Sequence, residues 1–80
     1  MTLDECLYYL MREMDGGLCA DKHFDAALTL IDPSRRFRNI EIDALVHAAQ
    51  KRGRMEELDA VMERYFAGQT GQMGFEEVLP

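Results

Sequence analysis

The chain has 80 residues and a mass of 9.2 kDa, with 48% hydrophobic and 30% charged side chains, enough to feed one small core and too little for a second. Fifteen acids against nine bases give a net charge of −6. No apolar run approaches the ~20 residues of a bilayer-crossing helix, Asp4 and Glu5 stand where a secretory leader carries bases, and two cysteines, Cys6 and Cys19, are too few for a disulfide scaffold, so the composition fits a cytoplasmic protein without a membrane segment.

Leu3, Leu7, Leu10 and Met14 recur at helical period with Cys6 on the same side, which predicts a first helix over residues 3 to 14. Thr2 and Glu5 have the spacing of a capping box, and Asp15-Gly16-Gly17 supplies the stop. Asp21 is the expected N-cap of a second helix with the stripe Phe24, Ala27, Leu28 and Ile31, ended by Asp32-Pro33 because a residue before proline is pushed out of the α region. Pro33 to Arg36 is expected to form one turn capped by Asp32, with Phe37 entering the core and the arginines staying in water. Asn39 is the expected cap of a third helix with the inner face Ile42, Leu45, Val46 and Ala49, closed by Lys51-Arg52-Gly53. Met55, Leu58, Val61, Met62 and Tyr65 mark a fourth helix, entered through Glu56 and Glu57 and left at Gly68.

No stretch alternates apolar and polar residues at period two, so strands have no support. The expected fold is therefore all-α: a small four-helix domain of two antiparallel helical hairpins over residues 1–66. Residues 67–80, with glycines at 68, 71 and 74, read as a flexible tail that leads to the apolar group Phe75, Val78 and Leu79. Four such stripes make a small core of modest stability, for which a partner or a homodimer would add burial.

The run from Ile40 to Tyr65, IEIDALVHAAQKRGRMEELDAVMERY, resembles one pentatricopeptide or tetratricopeptide helical hairpin: an apolar first helix, a Lys-Arg-Gly-Arg turn, then Met-Glu-Glu-Leu opening the second helix. A looser echo runs from Leu3 to Ile31, with Phe24-Asp25-Ala26-Ala27 in the corresponding place, so the resemblance implies two stacked hairpins. In pentatricopeptide proteins, which bind single-stranded RNA, the base-reading polar residue would align with Asp43. This chain has Ile42 where the family has an aromatic and Leu58 where it has a small residue, and its −6 charge repels phosphate, so the hairpin geometry is carried over and RNA binding is not.

Catalysis and cofactor binding find no machinery in this sequence. His23 and His47 are the only imidazoles and neither lies in a nucleophile motif, while Gly16-Gly17 follows a helix rather than a strand and so is no phosphate loop. Cys6, Cys19, His23 and His47 form a Cys2His2 inventory, but only Cys19 and His23 have a short ligand spacing, so buried structural thiols are expected and no metal. Counting back eleven from Glu76 or Glu77 reaches Tyr65 or Phe66, where a calcium loop needs Asp. The expectation is a protein that is not an enzyme and binds no cofactor.

The charge is unevenly placed. Residues 35–54 hold six bases (Arg35, Arg36, Arg38, Lys51, Arg52, Arg54) against two acids, a net +4, and the remainder holds three bases against thirteen acids, a net −10. This pattern suggests a small acidic protein-protein interaction module, an adaptor, chaperone-like factor or inhibitor that binds a basic protein partner, with mimicry of a nucleic acid as one form. The candidate contacts are Tyr8, Tyr9, Asp21, Asp25, Glu56, Glu57 and Phe75, within a wider acidic set of Asp4, Glu13, Asp15, Asp59 and Glu63. A nucleic-acid module built on the basic 35–54 segment is the alternative.

Overall fold

The computed structural model describes residues 1–70, and it has four helices: α1 (Leu3–Met14), α2 (Asp21–Leu30), α3 (Asn39–Arg52) and α4 (Met55–Thr70). Among the described residues there is no strand, and no helix is long and apolar enough to cross a membrane. Helix α1 packs on both α2 and α3, α3 packs on α4, and α2 touches α3 more lightly. The chain is thus two antiparallel hairpins joined through α1 and α3. The expected apolar group of Phe75, Val78 and Leu79 lies outside the described residues.

Local chemistry sets each helix end. The Glu5 N–H donates to Thr2 Oγ1 at 3.1 Å and the Thr2 N–H donates to Glu5 Oε1 at 2.8 Å, a reciprocal pair that satisfies two orphan donors of α1. Gly16 at φ +104° and the Gly17 N–H donating to Arg12 O at 2.8 Å close that helix. A Cβ on Gly17 would meet the same oxygen at 2.9 Å, so the turn admits no side chain there. Between α2 and α3, Asp32 accepts from the Ser34 N–H and hydroxyl, both at 2.7 Å, an Asx turn that reverses the chain at Pro33.

Two expected caps differ from those found. Ala20, not Asp21, is the N-cap of α2, and Asp21 is the first helical residue, its carboxylate drawn to Arg52 at 2.8 Å. Arg38, not Asn39, precedes α3, because Glu41 reaches back and accepts the Arg38 N–H at 2.9 Å. Likewise α4 does not stop at Gly68 but runs on to Thr70.

The core comprises Cys6, Leu7 and Leu10 of α1, Phe24 and Ala27 of α2, Ala44, Leu45, Ala48 and Ala49 of α3, and Leu58 of α4. Three alanines on α3 allow its backbone to approach its neighbours closely, so the helix is turned from the expected face: Ile42 and Val46 are half-buried, and Ala44 and Ala48 take the centre. Phe37 is half-buried, its ring edge-on to Tyr65 at 5.3 Å between centroids. The Tyr65 hydroxyl donates to Arg35 O at 2.7 Å, which ties α4 to the loop before α3.

The α3–α4 turn depends on Gly53, which is left-handed at φ +66°, ψ +33° and lets the Arg54 N–H donate to Ala49 O at 2.8 Å. Nothing crowds a Cβ at that position, so the cost of a side chain there is conformational alone. Gly53→Ala should destabilise the fold by about 1 kcal/mol, measured by urea denaturation, without changing the helical circular dichroism spectrum.

Candidate functional site

The charged residues are where the structure departs most from a simple patterned bundle. Glu13 and Glu41 are buried, at 3% and 5% exposure. Glu13 continues the Cys6 and Leu10 stripe of α1 at i+7 and i+3, and Glu41 and Arg52 bracket Leu45 and Ala48 on α3 at helical spacing. The two helices therefore bring a carboxylate and a guanidinium into the same interface.

Arg52 grips Glu13 through two nearly parallel hydrogen bonds, Nη1 to Oε1 at 2.9 Å and Nη2 to Oε2 at 3.0 Å. The rest of its fork donates to Asp21 Oδ1 at 2.8 Å, Ala48 O at 3.0 Å and Cys19 O at 3.1 Å. One side chain thus fastens α1, α2, the loop between them and α3, while its guanidinium carbon lies 5.5 Å from the Phe24 ring centre. Lys51 approaches Glu13 from the rim at 3.4 Å. The Arg52 hydrogen bonds hold the Glu13 carboxyl below its ordinary value despite burial.

A second cluster lies around Glu41. Burial opposes its ionisation, but hydrogen bonds from the Arg38 N–H and the Arg35 and Arg38 guanidinium groups outweigh that and keep its pKa lowered. Arg35 also pairs with Asp4 of α1, and its guanidinium covers the Phe37 ring at 4.8 Å. The expected arginine in water is in this case a half-buried clamp. A third cluster joins Arg54 to Asp25 at 2.6 Å and Glu57 at 2.6 Å, linking α2 to the start of α4.

These clusters redistribute the candidate residues. Asp21, Asp25 and Glu57 are engaged by the chain's own arginines, as are Asp4 and Glu13 of the wider acidic set. The basic segment is equally occupied: Arg35, Arg38, Lys51, Arg52 and Arg54 are all ion-paired, and of its six bases Arg36 alone forms no ion pair among the described residues. The +4 segment is therefore cancelled in place rather than offered as a patch.

Tyr8 and Tyr9 do project from α1, 54% and 37% exposed, edge-on to each other at 5.5 Å. Tyr9 also stacks on His23 of α2 at 4.3 Å, and Arg12 lies 5.8 Å above the Tyr8 ring. Cys6 is buried and Cys19 half-buried, its thiol donating to Ala20 O at 3.5 Å, and burial raises the pKa of both. Among the described residues no three His, Cys, Asp or Glu side chains are grouped to hold a metal ion. Phe75 lies outside the described residues.

Outside the ion pairs among the described residues lie Glu5, Asp15, Asp32, Asp43, Glu56, Asp59 and Glu63, and the last three gather on α4. Glu56, Asp59 and Glu63 are exposed at spacings of three and four, so they form one stripe that ends at the half-exposed Phe66. The opposite side of the helix carries Leu58 and Tyr65 into the interior with Met62 beside them. Of this stripe, sequence reasoning singled out Glu56 as a contact and placed Asp59 and Glu63 only in the wider acidic set. The missing discriminator was which acids the arginines would claim. No protein-family model matches the chain, and no curated protein or solved structure is significantly similar to it.

The buried carboxyls determine the pH response. Both have folded-state pKa values below the unfolded ones, so their stabilisation is present above the unfolded value of ~4.3 and is lost as pH falls through the folded values. The urea midpoint should be nearly flat from pH 7 to about 5 and drop steeply below about 4; a flat profile to pH 3 would contradict the ionised, paired state of Glu13 and Glu41.

Proposed function

We propose that this protein is a small helical interaction module that binds a basic surface of a protein partner through the Glu56, Asp59 and Glu63 stripe of α4, with Phe66 at its end as an apolar contact. The supporting observation is the uncompensated stripe itself. Like charges at i, i+3 and i+4 cost a helix about 0.2–0.5 kcal/mol per pair, and no base of the described chain is ion-paired to them, in contrast to Asp4, Glu13, Asp21, Asp25, Glu41 and Glu57, which each meet an arginine. An unfavourable charge row kept on one helix face is explained by an external cation-rich surface. Such a surface speeds encounter through long-range attraction, and the residence time comes from the apolar contact.

An adaptor, a chaperone-like factor and an inhibitor whose carboxylates stand in for phosphates all use this geometry. The resemblance of residues 40–65 to a helical-repeat hairpin agrees with a role in presenting helix surfaces, since such hairpins display one helix of each pair to a partner. Binding of nucleic acid through residues 35–54 is disfavoured, because those bases would have to abandon internal carboxylates, two of them buried.

The test separates stability from binding. Asp59→Lys places a cation between Glu56 and Glu63 and should raise stability by roughly 0.5 kcal/mol. The triple reversal of Glu56, Asp59 and Glu63 to Lys should keep the helical spectrum yet lose the basic partners that the unaltered protein retains from an extract of its source cell, read by mass spectrometry. An unchanged set of retained proteins at ~0.15 M salt would refute the stripe as the contact surface.

A further inference from the structure

A second surface lies on α1, on the side of the helix turned away from the bundle. Glu5, Tyr8, Tyr9 and Arg12 are all exposed and follow at i, i+3, i+4 and i+7, so they share a strip of about 100° of arc. Cys6, Leu7, Leu10 and Glu13 are buried on the opposite side of the same helix. His23 of α2 borders the strip through its stack on Tyr9 at 4.3 Å.

The strip ends in opposite charges. Glu5 and Arg12 lie about 10.5 Å apart along the helix axis with the two tyrosines between them, and neither forms an ion pair among the described residues. Glu5 Oε1 is committed to the Thr2 N–H at the helix cap, which leaves Oε2 as an acceptor, and the Arg12 guanidinium rests over the Tyr8 ring at 5.8 Å. Arg36 and Arg64 also lack an ion pair among the described residues; what sets Arg12 apart is the order of the residues on its face. The strip is symmetric about the step from Tyr8 to Tyr9, with aromatic matched to aromatic at its centre and acid matched to base at its ends.

We propose that α1 pairs antiparallel with α1 of a second copy of this chain, across a two-fold axis that passes between Tyr8 and Tyr9. Reversal of direction sets Tyr8 of each copy against Tyr9 of the other and Glu5 of each against Arg12 of the other, so the strip is complementary to itself. A parallel pairing sets acid on acid and base on base, which fixes the orientation. The tyrosine rings supply the apolar burial while their hydroxyls reach the wet rim. Four tyrosines and two ion pairs make an interface below the ~1,200 Å² of a stable complex, so the dimer is weak and exchanges with monomer. None of these residues belongs to the α4 stripe, so a dimer would carry two such stripes.

Sedimentation equilibrium of the full 80-residue chain at ~0.15 M salt, from about 10 μM to about 1 mM protein, measures the pairing. The average mass should climb from 9.2 kDa toward twice that value. Arg12→Glu should weaken association about tenfold or more, because it sets acid against acid, and Glu5→Arg should do the same by setting base against base. An equimolar mixture of the two variants should associate about tenfold more tightly than either alone, since the mixed pair restores both acid-base contacts. Glu5→Arg also removes the α1 capping box, so circular dichroism checks its fold, and Tyr8→Ser, at an exposed position, should weaken pairing without touching the cap. The proposal is overturned by a monomer at every concentration, by a dimer indifferent to Arg12→Glu or to Tyr8→Ser, or by a mixture of folded variants no tighter than its components.

Discussion

The bidentate contact between Arg52 and Glu13 constrains most of what surrounds it, because a carboxylate buried at the C-terminal end of one helix is tolerable only with a guanidinium brought to it. That requirement fixes the register of α3 against α1. It then recruits Asp21 at the start of α2 and the carbonyl of Cys19 in the preceding loop, so four segments meet at one side chain. Alanines at 44, 48 and 49 complete the arrangement by letting the helices approach closely enough for Arg52 to reach across.

The same logic decides what remains on the surface. Arg35 and Arg38 are drawn to Glu41, and Arg54 bridges Asp25 and Glu57, so the basic middle of the sequence is used to join helices. Charges on the surface then carry meaning by exclusion. Three acids that no arginine has claimed, Glu56, Asp59 and Glu63, share one face of α4 and are the positions proposed for a partner.

Much of the architecture was legible because helix formation here obeys local rules. The Leu3, Leu7, Leu10 and Met14 stripe, the Thr2 and Glu5 capping box and the left-handed Gly53 each appear where spacing and residue type place them. The misjudged features have two causes. Asp21 is a good N-cap by type, and Ile42 and Val46 are more apolar than Ala44 and Ala48, yet partners distant in sequence outweighed those preferences, whereas Asn39 lost the cap of α3 to the local bond from the Arg38 N–H to Glu41. A signal for the buried pairs was present: Glu13 lies in step with Cys6 and Leu10, and Glu41, Leu45, Ala48 and Arg52 follow one helical period. An acid and a base that both stand on core faces are a candidate pair, whereas the acids of α4 stand opposite its core face. Assigning partners within that set needed the fold, since 31 to 39 residues separate the bonded groups.

The central claim is that Arg52 and Glu13 act as a coupled unit and not as two independently useful charges. A double-mutant cycle of Glu13→Leu and Arg52→Met, followed by urea denaturation at pH 7, measures this directly. Removing either partner leaves the other buried without its match, a loss of about 3–5 kcal/mol, whereas removing both substitutes apolar packing for the pair. The account predicts that the two single losses sum to at least ~2 kcal/mol more than the loss of the double variant, and additivity within ~0.5 kcal/mol would contradict it.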